Sequence, residues 1–229
     1  MFSLHGYGPS IFEGTVLTLE VSLASLFIAM LLGICGALAK LSGAKPLRLV
    51  AQVYTTIIRG IPDLVLMLLI FFCGQVLINQ LGPLVGYDDY IDINPFIAGV
   101  SIIGFIFGAY MTETFRGVIL AVPRGQIEAA YAYGMRRSQM FRRILMPQMI
   151  RHAIPGFGNN WLVLVKTTAL VSIIGLDDMV RKASLAAGAT RLPFTFYLVV
   201  AFNYLIITSI SVYLLRWLET RYSAGVIQV

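Results

Sequence analysis

Apolar residues in this chain come in long unbroken runs, not in the alternating or every-third-and-fourth patterns of half-buried strands and surface helices. Five runs are uncharged or nearly so: residues 15–39, 64–80, 96–112, 154–176 and 192–215. Each approaches or exceeds the roughly 20 residues that a helix needs to cross a hydrocarbon core about 30 Å thick. The second and third, 17 residues each, reach that length through one more turn at a polar flank or through a smaller tilt. The pattern predicts an all-α polytopic membrane protein, a single transmembrane domain over residues 1–229. Its helices are expected over about 12–40, 58–81, 95–117, 153–177 and 192–217, with a polar loop at 118–151.

Five crossings place the two termini on opposite sides, so the basic residues decide the orientation. One side collects Lys40, Lys45, Arg48, Arg59, Arg116, Arg124, Arg136, Arg137, Arg142, Arg143, Arg151, Arg216 and Arg221; the other has Arg181, Lys182 and Arg191. The richer side is cytoplasmic by the positive-inside rule. The expectation is an inner-membrane protein with its N-terminus in the periplasm, its C-terminus in the cytoplasm and the 118–151 loop cytoplasmic. Ala37-Leu38-Ala39 resembles a signal-peptide cleavage site, but Glu13 and Glu20 stand where a basic n-region belongs and the apolar run is too long. The first span is expected to stay in the mature protein.

Composition narrows the function. The chain is 58% hydrophobic and only 12% charged, where soluble domains carry about 25%. Its net charge of +6 flanks hydrophobic spans and does not form a basic face on a polar domain, which argues against nucleic acid. Cys35 and Cys73 lie inside apolar runs, and His5 and His152 are far apart with no cysteine near, so neither a disulfide nor a zinc site is expected. No Gly-Lys dipeptide occurs, which excludes the phosphate-cradling loop of nucleotide-binding ATPases. No metalloprotease or nucleophile–base pattern is present either, so the chain is not expected to be an enzyme or to hold a cofactor.

Two segments carry local signals. Gly104 and Gly108 form a small-xxx-small pair beside Gly99 and Ala109, which predicts close approach of a neighbouring helix. Between Arg116 and Arg151, Glu128-Ala129-Ala130 starts a helix, Gly134 interrupts it, and Ser138 is expected to cap a second amphipathic helix ended by Pro147. Such a knob suits either a contact with anionic lipid through its arginines or a push against a cytoplasmic partner.

The spacing Glu128-Ala129-Ala130, three residues, Gly134, nine residues, Ile144-Leu145-Met146-Pro147 resembles the EAA loop of ATP-binding-cassette importer permeases, departing only at Met146. Arg59-Gly60-Ile61-Pro62, Glu113 through Gly117 and Lys166 through Ser172 resemble further elements of the polar-amino-acid branch of that family. The likeness is strongest to permeases of cationic amino-acid and opine uptake systems, through residues 59–66 and Gly158-Asn159-Asn160-Trp161. It implies a type I importer fold, with Glu128, Ala129, Ala130, Gly134, Ile144 and Pro147 docking a cytoplasmic ATPase dimer that holds ATP and magnesium. It also implies a second permease, more naturally a related chain than a copy, and a periplasmic binding protein that delivers substrate. The rival class is an ion-gradient transporter or channel, against which stand the docking loop and the lack of an internal repeat.

Charges inside spans cost about 2.5–3.5 kcal/mol each at mid-bilayer and are functional candidates by default. Lys166 falls near the midplane, Asp63 and Glu113 toward the cytoplasmic leaflet, and Glu20 in the outer leaflet. Asp63 and Glu113 are expected either to line a path for a cationic substrate, with Lys166 meeting its carboxylate, or to pair with Arg59 and Arg116.

Overall fold

A computed structural model describes residues 4–86 and 89–223, and all regular structure among them is helical. The extreme termini, to which the sidedness expectation refers, lie outside these residues. Helix α1 (Gly8–Leu41) starts with a proline in its first turn, where a missing N–H costs nothing, and ends at the extended Ser42. Next come α2 (Lys45–Gly60) and α3 (Asp63–Leu81). Helix α4 (Pro95–Ala121) is capped by the Asn94 side chain, which accepts from the N–H groups of Phe96 and Ile97 at 2.9 and 3.3 Å.

The loop region holds α5 (Arg124–Ala132), the single turn α6 (Arg137–Met140) and a π-helical turn at Phe141–Leu145. It leads directly into α7 (Met146–Thr167), which closes in a 3-10 segment at Thr168–Ser172. Helices α8 (Met179–Thr190) and α9 (Pro193–Ser223) complete the chain. Helices α1, α4 and α9 and the segment 63–84 are long and apolar enough to cross a membrane. Helix α7 has 22 residues and carries more polar ones, among them Asn159, Asn160 and Lys166.

Three local expectations are corrected. The second predicted helix, 58–81, is divided, because Pro62 forces the preceding Ile61 out of the helical region (φ −111°, ψ 139°). Pro147 does not end the amphipathic helix; it sits in the first turn of α7. The widened π turn just before it removes the hydrogen-bond register that the proline ring would break, so the helix runs on. Ser138 is not the cap either, since Arg136 occupies that position and its N–H donates to Gln139 Oε1 at 2.9 Å.

The core is the long contact between α1 and α4. Along α1 the buried positions include Ile11 and Val21, but most are small: Gly14 and Thr18 beside α8, then Ser22, Ser25, Ala29, Gly33 and Ala37 at three- or four-residue spacing. A stripe of small side chains lets two backbones approach without a clash, which favours helix association where lipid removes the hydrophobic drive. The reciprocal surface of α4 behaves as its Gly104–Gly108 spacing predicts: an added Cβ would lie 2.7 Å from Ile28 Cβ at the first and 2.8 Å from Leu32 Cβ at the second. The hydroxyls of Thr18 and Ser22 donate to their own helix at Gly14 and Thr18 carbonyls, so this seam buries no loose donor. Around it α4 buries Ile103, Ile106, Phe107 and Met111, while α3 and α9 turn residues such as Leu69, Phe72, Phe202 and Leu205 outward.

Candidate coupling loop and substrate path

Helix α5 is short but sharply ended. Gly134 adopts φ +75°, its N–H donates to Tyr131 O at 2.9 Å, and the Met135 N–H donates to Ala130 O at 3.1 Å. This six-to-one and five-to-two pair closes the helix end with a left-handed residue that favours glycine. Glu128 and Ala129 lie exposed on the surface of α5, whereas Ala130 is 3% exposed and turns into the loop. The trio Glu128, Ala129 and Ala130 is therefore divided: two residues face outward and the third packs inside the loop. Gln126 of α5 and Gln148 of α7 are hydrogen-bonded through their side chains, and Gln148 also donates to Ile144 O at 3.0 Å. Ile144 is half-buried beside α7 and Pro147 is exposed. The loop is thus a braced extension of α7, so a force on α5 is transmitted to that helix.

Around it, the segment from Arg116 to Arg151 carries seven arginines against one acid, Glu128. That balance equals the whole chain's net charge of +6.

At the ends of α1, α2 and α4 the ionic residues meet. Glu113 is ion-paired with Lys40 of α1 and, at 3.0 Å, with Arg116 of its own helix. Lys40 also donates to Thr55 of α2 at 2.5 Å. Glu113 therefore has both oxygens engaged, and three helices are joined by one network. A cavity of about 430 Å³ opens there, lined by Lys40, Gln52, Thr55, Arg59, Tyr110 and Glu113, among others.

Asp63 is different. It starts α3 and accepts from the Tyr110 hydroxyl at 3.5 Å, and no ion pair reaches it among the described residues. Arg59, its expected partner, instead lies over the Tyr110 ring at 5.6 Å from the centroid. Tyr110 stands between the two acids, lining the cavity with Glu113 and donating to Asp63, and only Asp63 retains free acceptor capacity. Sequence reading missed Lys40, which served only to orient the chain, and Tyr110, whose sole signal was a polar ring in an apolar run.

Lys166 does not join them. It is exposed on α7, on the same face as His152 and Asn159 at seven-residue intervals. The neighbouring face of α7 is packed: Asn160 donates to Thr114 Oγ1 at 2.8 Å and the Trp161 indole N–H donates to Ser211 Oγ at 3.0 Å.

Comparison with known proteins agrees with this geometry. The histidine/lysine/arginine/ornithine transport system permease protein HisQ of Salmonella typhimurium is 50% identical over 223 residues, 97% of each chain. The octopine transport system permease protein OccQ of Rhizobium radiobacter is 40% identical over 98% of this chain and 94% of its own. Among solved structures, the crystal structure of an amino acid ABC transporter with histidines superposes with a TM-score of 0.80 at 35% identity, covering 94% of this chain and 95% of that one. The MetNI methionine ABC transporter shares the fold at 20% identity, with a TM-score of 0.64 over 91% of this chain and 95% of that one. Residues 25–224 match the binding-protein-dependent transport system inner membrane component family, and the chain belongs to that family of importer permeases.

Proposed function

We propose that this permease carries a cationic amino acid or opine across the inner membrane, with five crossings, the N-terminus outside and the C-terminus in the cytoplasm. A periplasmic binding protein delivers the substrate, and a cytoplasmic ATPase dimer holding ATP and magnesium drives the cycle. The observation that carries the reading is the presentation of Glu128 and Ala129 on a helix closed by Gly134 and braced to α7. Two ATPases closing on nucleotide must move two membrane halves, and a stiff local lever does this where a loose loop would not.

The exposed stripe His152, Asn159 and Lys166 supports a second permease. A lysine facing lipid near the midplane costs about 2.5–3.5 kcal/mol, whereas a neighbouring protein or a water-filled path removes that cost. Seven-residue spacing is the register of two helices packed side by side. The free carboxylate of Asp63 supports a cationic substrate, because a guanidinium or ammonium leaving water needs a compensating anion. Glu113, already neutralised by Lys40 and Arg116, fits the lock between helices better than the path itself.

Mild-detergent purification of the tagged chain tests the assembly: an ATPase and a second, related permease should co-purify. Arginine and ornithine uptake in proteoliposomes, with the binding protein supplied, tests the substrate class. Isolation of this chain alone, or uptake that follows an ion gradient in the absence of ATP, would overturn the reading.

A further inference from the structure

Arg59 and Asp63 are oppositely charged and four residues apart, yet neither has a salt-bridge partner among the described residues. Ile61 is extended, so α2 stops at Gly60 and α3 starts at Asp63. Both side chains meet Tyr110 of α4 instead. The guanidinium lies over the ring, 5.6 Å from its centroid, and a carboxylate oxygen lies 3.5 Å from the hydroxyl. Arg59 in the last turn of α2 and Asp63 in the first turn of α3 each suit the dipole of their helix. That explains why each charge is accepted singly, but it gives no partner to the five N–H donors of the guanidinium.

The cavity of about 430 Å³ falls in the range of about 300–1,000 Å³ found for small-molecule sites. Arg59 and Tyr110 line it together with Gln52 and Thr56, while its other ions, Lys40 and Glu113, are already paired with each other. Asp63 is half-buried at the hydroxyl end of the same phenol. Lys166, which the sequence assigned to the substrate carboxylate, is exposed on α7 and lines no part of this cavity.

We propose that Arg59 receives the α-carboxylate of the substrate, with the cationic end of the same molecule on Asp63 and its chain laid along Tyr110. This rests on the reading of the chain as a permease for cationic amino acids. A guanidinium grips a carboxylate through two parallel N–H···O bonds, which a lysine does not reproduce. An amino acid with a positive side chain carries an anion at one end and a cation at the other, the reverse of the charges at the two contacts of Tyr110. Its α-ammonium finds acceptor oxygens on Gln52 and Thr56. A neutral amino acid leaves Asp63 unpaired, and a diamine sets a second cation against Arg59, so the two residues read both ends of the substrate.

Thr56 lines the cavity, so a cysteine placed there reports occupancy. The protein is the assembled, nucleotide-free transporter in nanodiscs, carrying Thr56→Cys with the exposed Cys35 and Cys73 replaced by alanine. Its reaction with a maleimide is followed in the presence of L-arginine, of agmatine, which lacks the carboxylate, or of citrulline, which lacks the side-chain charge. Arginine should protect at a concentration about tenfold or more below that of either analogue, the scale of a hydrogen bond to a charged group. Arg59→Met should raise the arginine requirement to that of agmatine, Arg59→Lys should restore part of the difference, and Asp63→Asn should bring arginine level with citrulline. A purely structural Arg59 would shift all three ligands together and keep their ratios. The comparison of ligands before any change at Arg59 stands even where a variant fails to assemble. Equal protection by arginine and agmatine, no protection while ATP-driven arginine uptake proceeds, or a ratio unchanged in Arg59→Met would overturn the assignment and leave the transport reading in place. Loss of both protection and uptake in the otherwise unaltered transporter would overturn both.

Discussion

Lys40 and Glu113, 73 residues apart in sequence, form an ion pair that ties the end of α1 to α4, with Thr55 of α2 as a third partner. Both side chains are largely shielded, at 12% and 20% exposure, so neither is readily re-solvated when the other is removed. Glu113→Gln should lower the stability of the assembled complex by about 1.5–3 kcal/mol, the range for a lost hydrogen bond to a charged group. The combined Lys40→Met, Glu113→Gln change should cost less than the sum of the two. Uptake per assembled complex should stay near wild type. Quantitative detergent unfolding with normalised transport checks this, and a normal complex with impaired uptake would return Glu113 to the path.

Asp63→Asn forecasts the opposite separation. Its carboxylate has no ion-pair partner among the described residues and only a long hydrogen bond from Tyr110. The variant should assemble normally while discrimination for arginine or ornithine over a neutral amino acid weakens by about 1–3 kcal/mol, roughly 5- to 150-fold. Competition uptake at fixed complex concentration measures it. Tyr110→Phe should have a smaller effect in the same direction, since it removes a donor and leaves the charge.

The coupling loop offers two variants with different physics. Glu128→Lys reverses an exposed charge on α5, so insertion and folding should persist while ATP-coupled uptake and ATPase binding are lost. Gly134→Ala forces a Cβ into φ +75°, which costs about 1–2 kcal/mol and loosens the end of α5. It should reduce coupling partially, leaving ATPase affinity measurable. Pull-down of the ATPase with uptake per bound ATPase distinguishes the two. Full transport in Glu128→Lys with normal ATPase binding would sink the docking assignment.

Helix packing gives the sharpest steric forecast. A Cβ at Gly108 would meet Leu32 Cβ and the Tyr54 hydroxyl, each at 2.8 Å. Gly108→Ala should therefore destabilise by about 1–3 kcal/mol, the range for overpacking, and Gly108→Leu should abolish assembly. At Gly117, where an added Cβ meets nothing within 4 Å, alanine should be accepted. Yield of assembled complex across the three variants settles it.

Hydropathy and spacing alone determined a good deal. The five apolar runs, the close-approach pair Gly104 and Gly108 and the helix break at Gly134 are local properties, fixed by side-chain volume and by backbone freedom at one residue. Sequence could not decide partners distant along the chain. Arg59 is four residues before Asp63, the spacing of a helical ion pair, yet Pro62 breaks the helix between them and Tyr110 takes the guanidinium. Glu113 has its predicted Arg116, but the stronger constraint is Lys40 across a helix interface that no periodicity reveals. Pro147 read as a stop, and the π turn before it made it a passage. Charge pairing, burial and the fate of a proline depend on which helices meet and at what depth, and that is set by packing over the whole bundle.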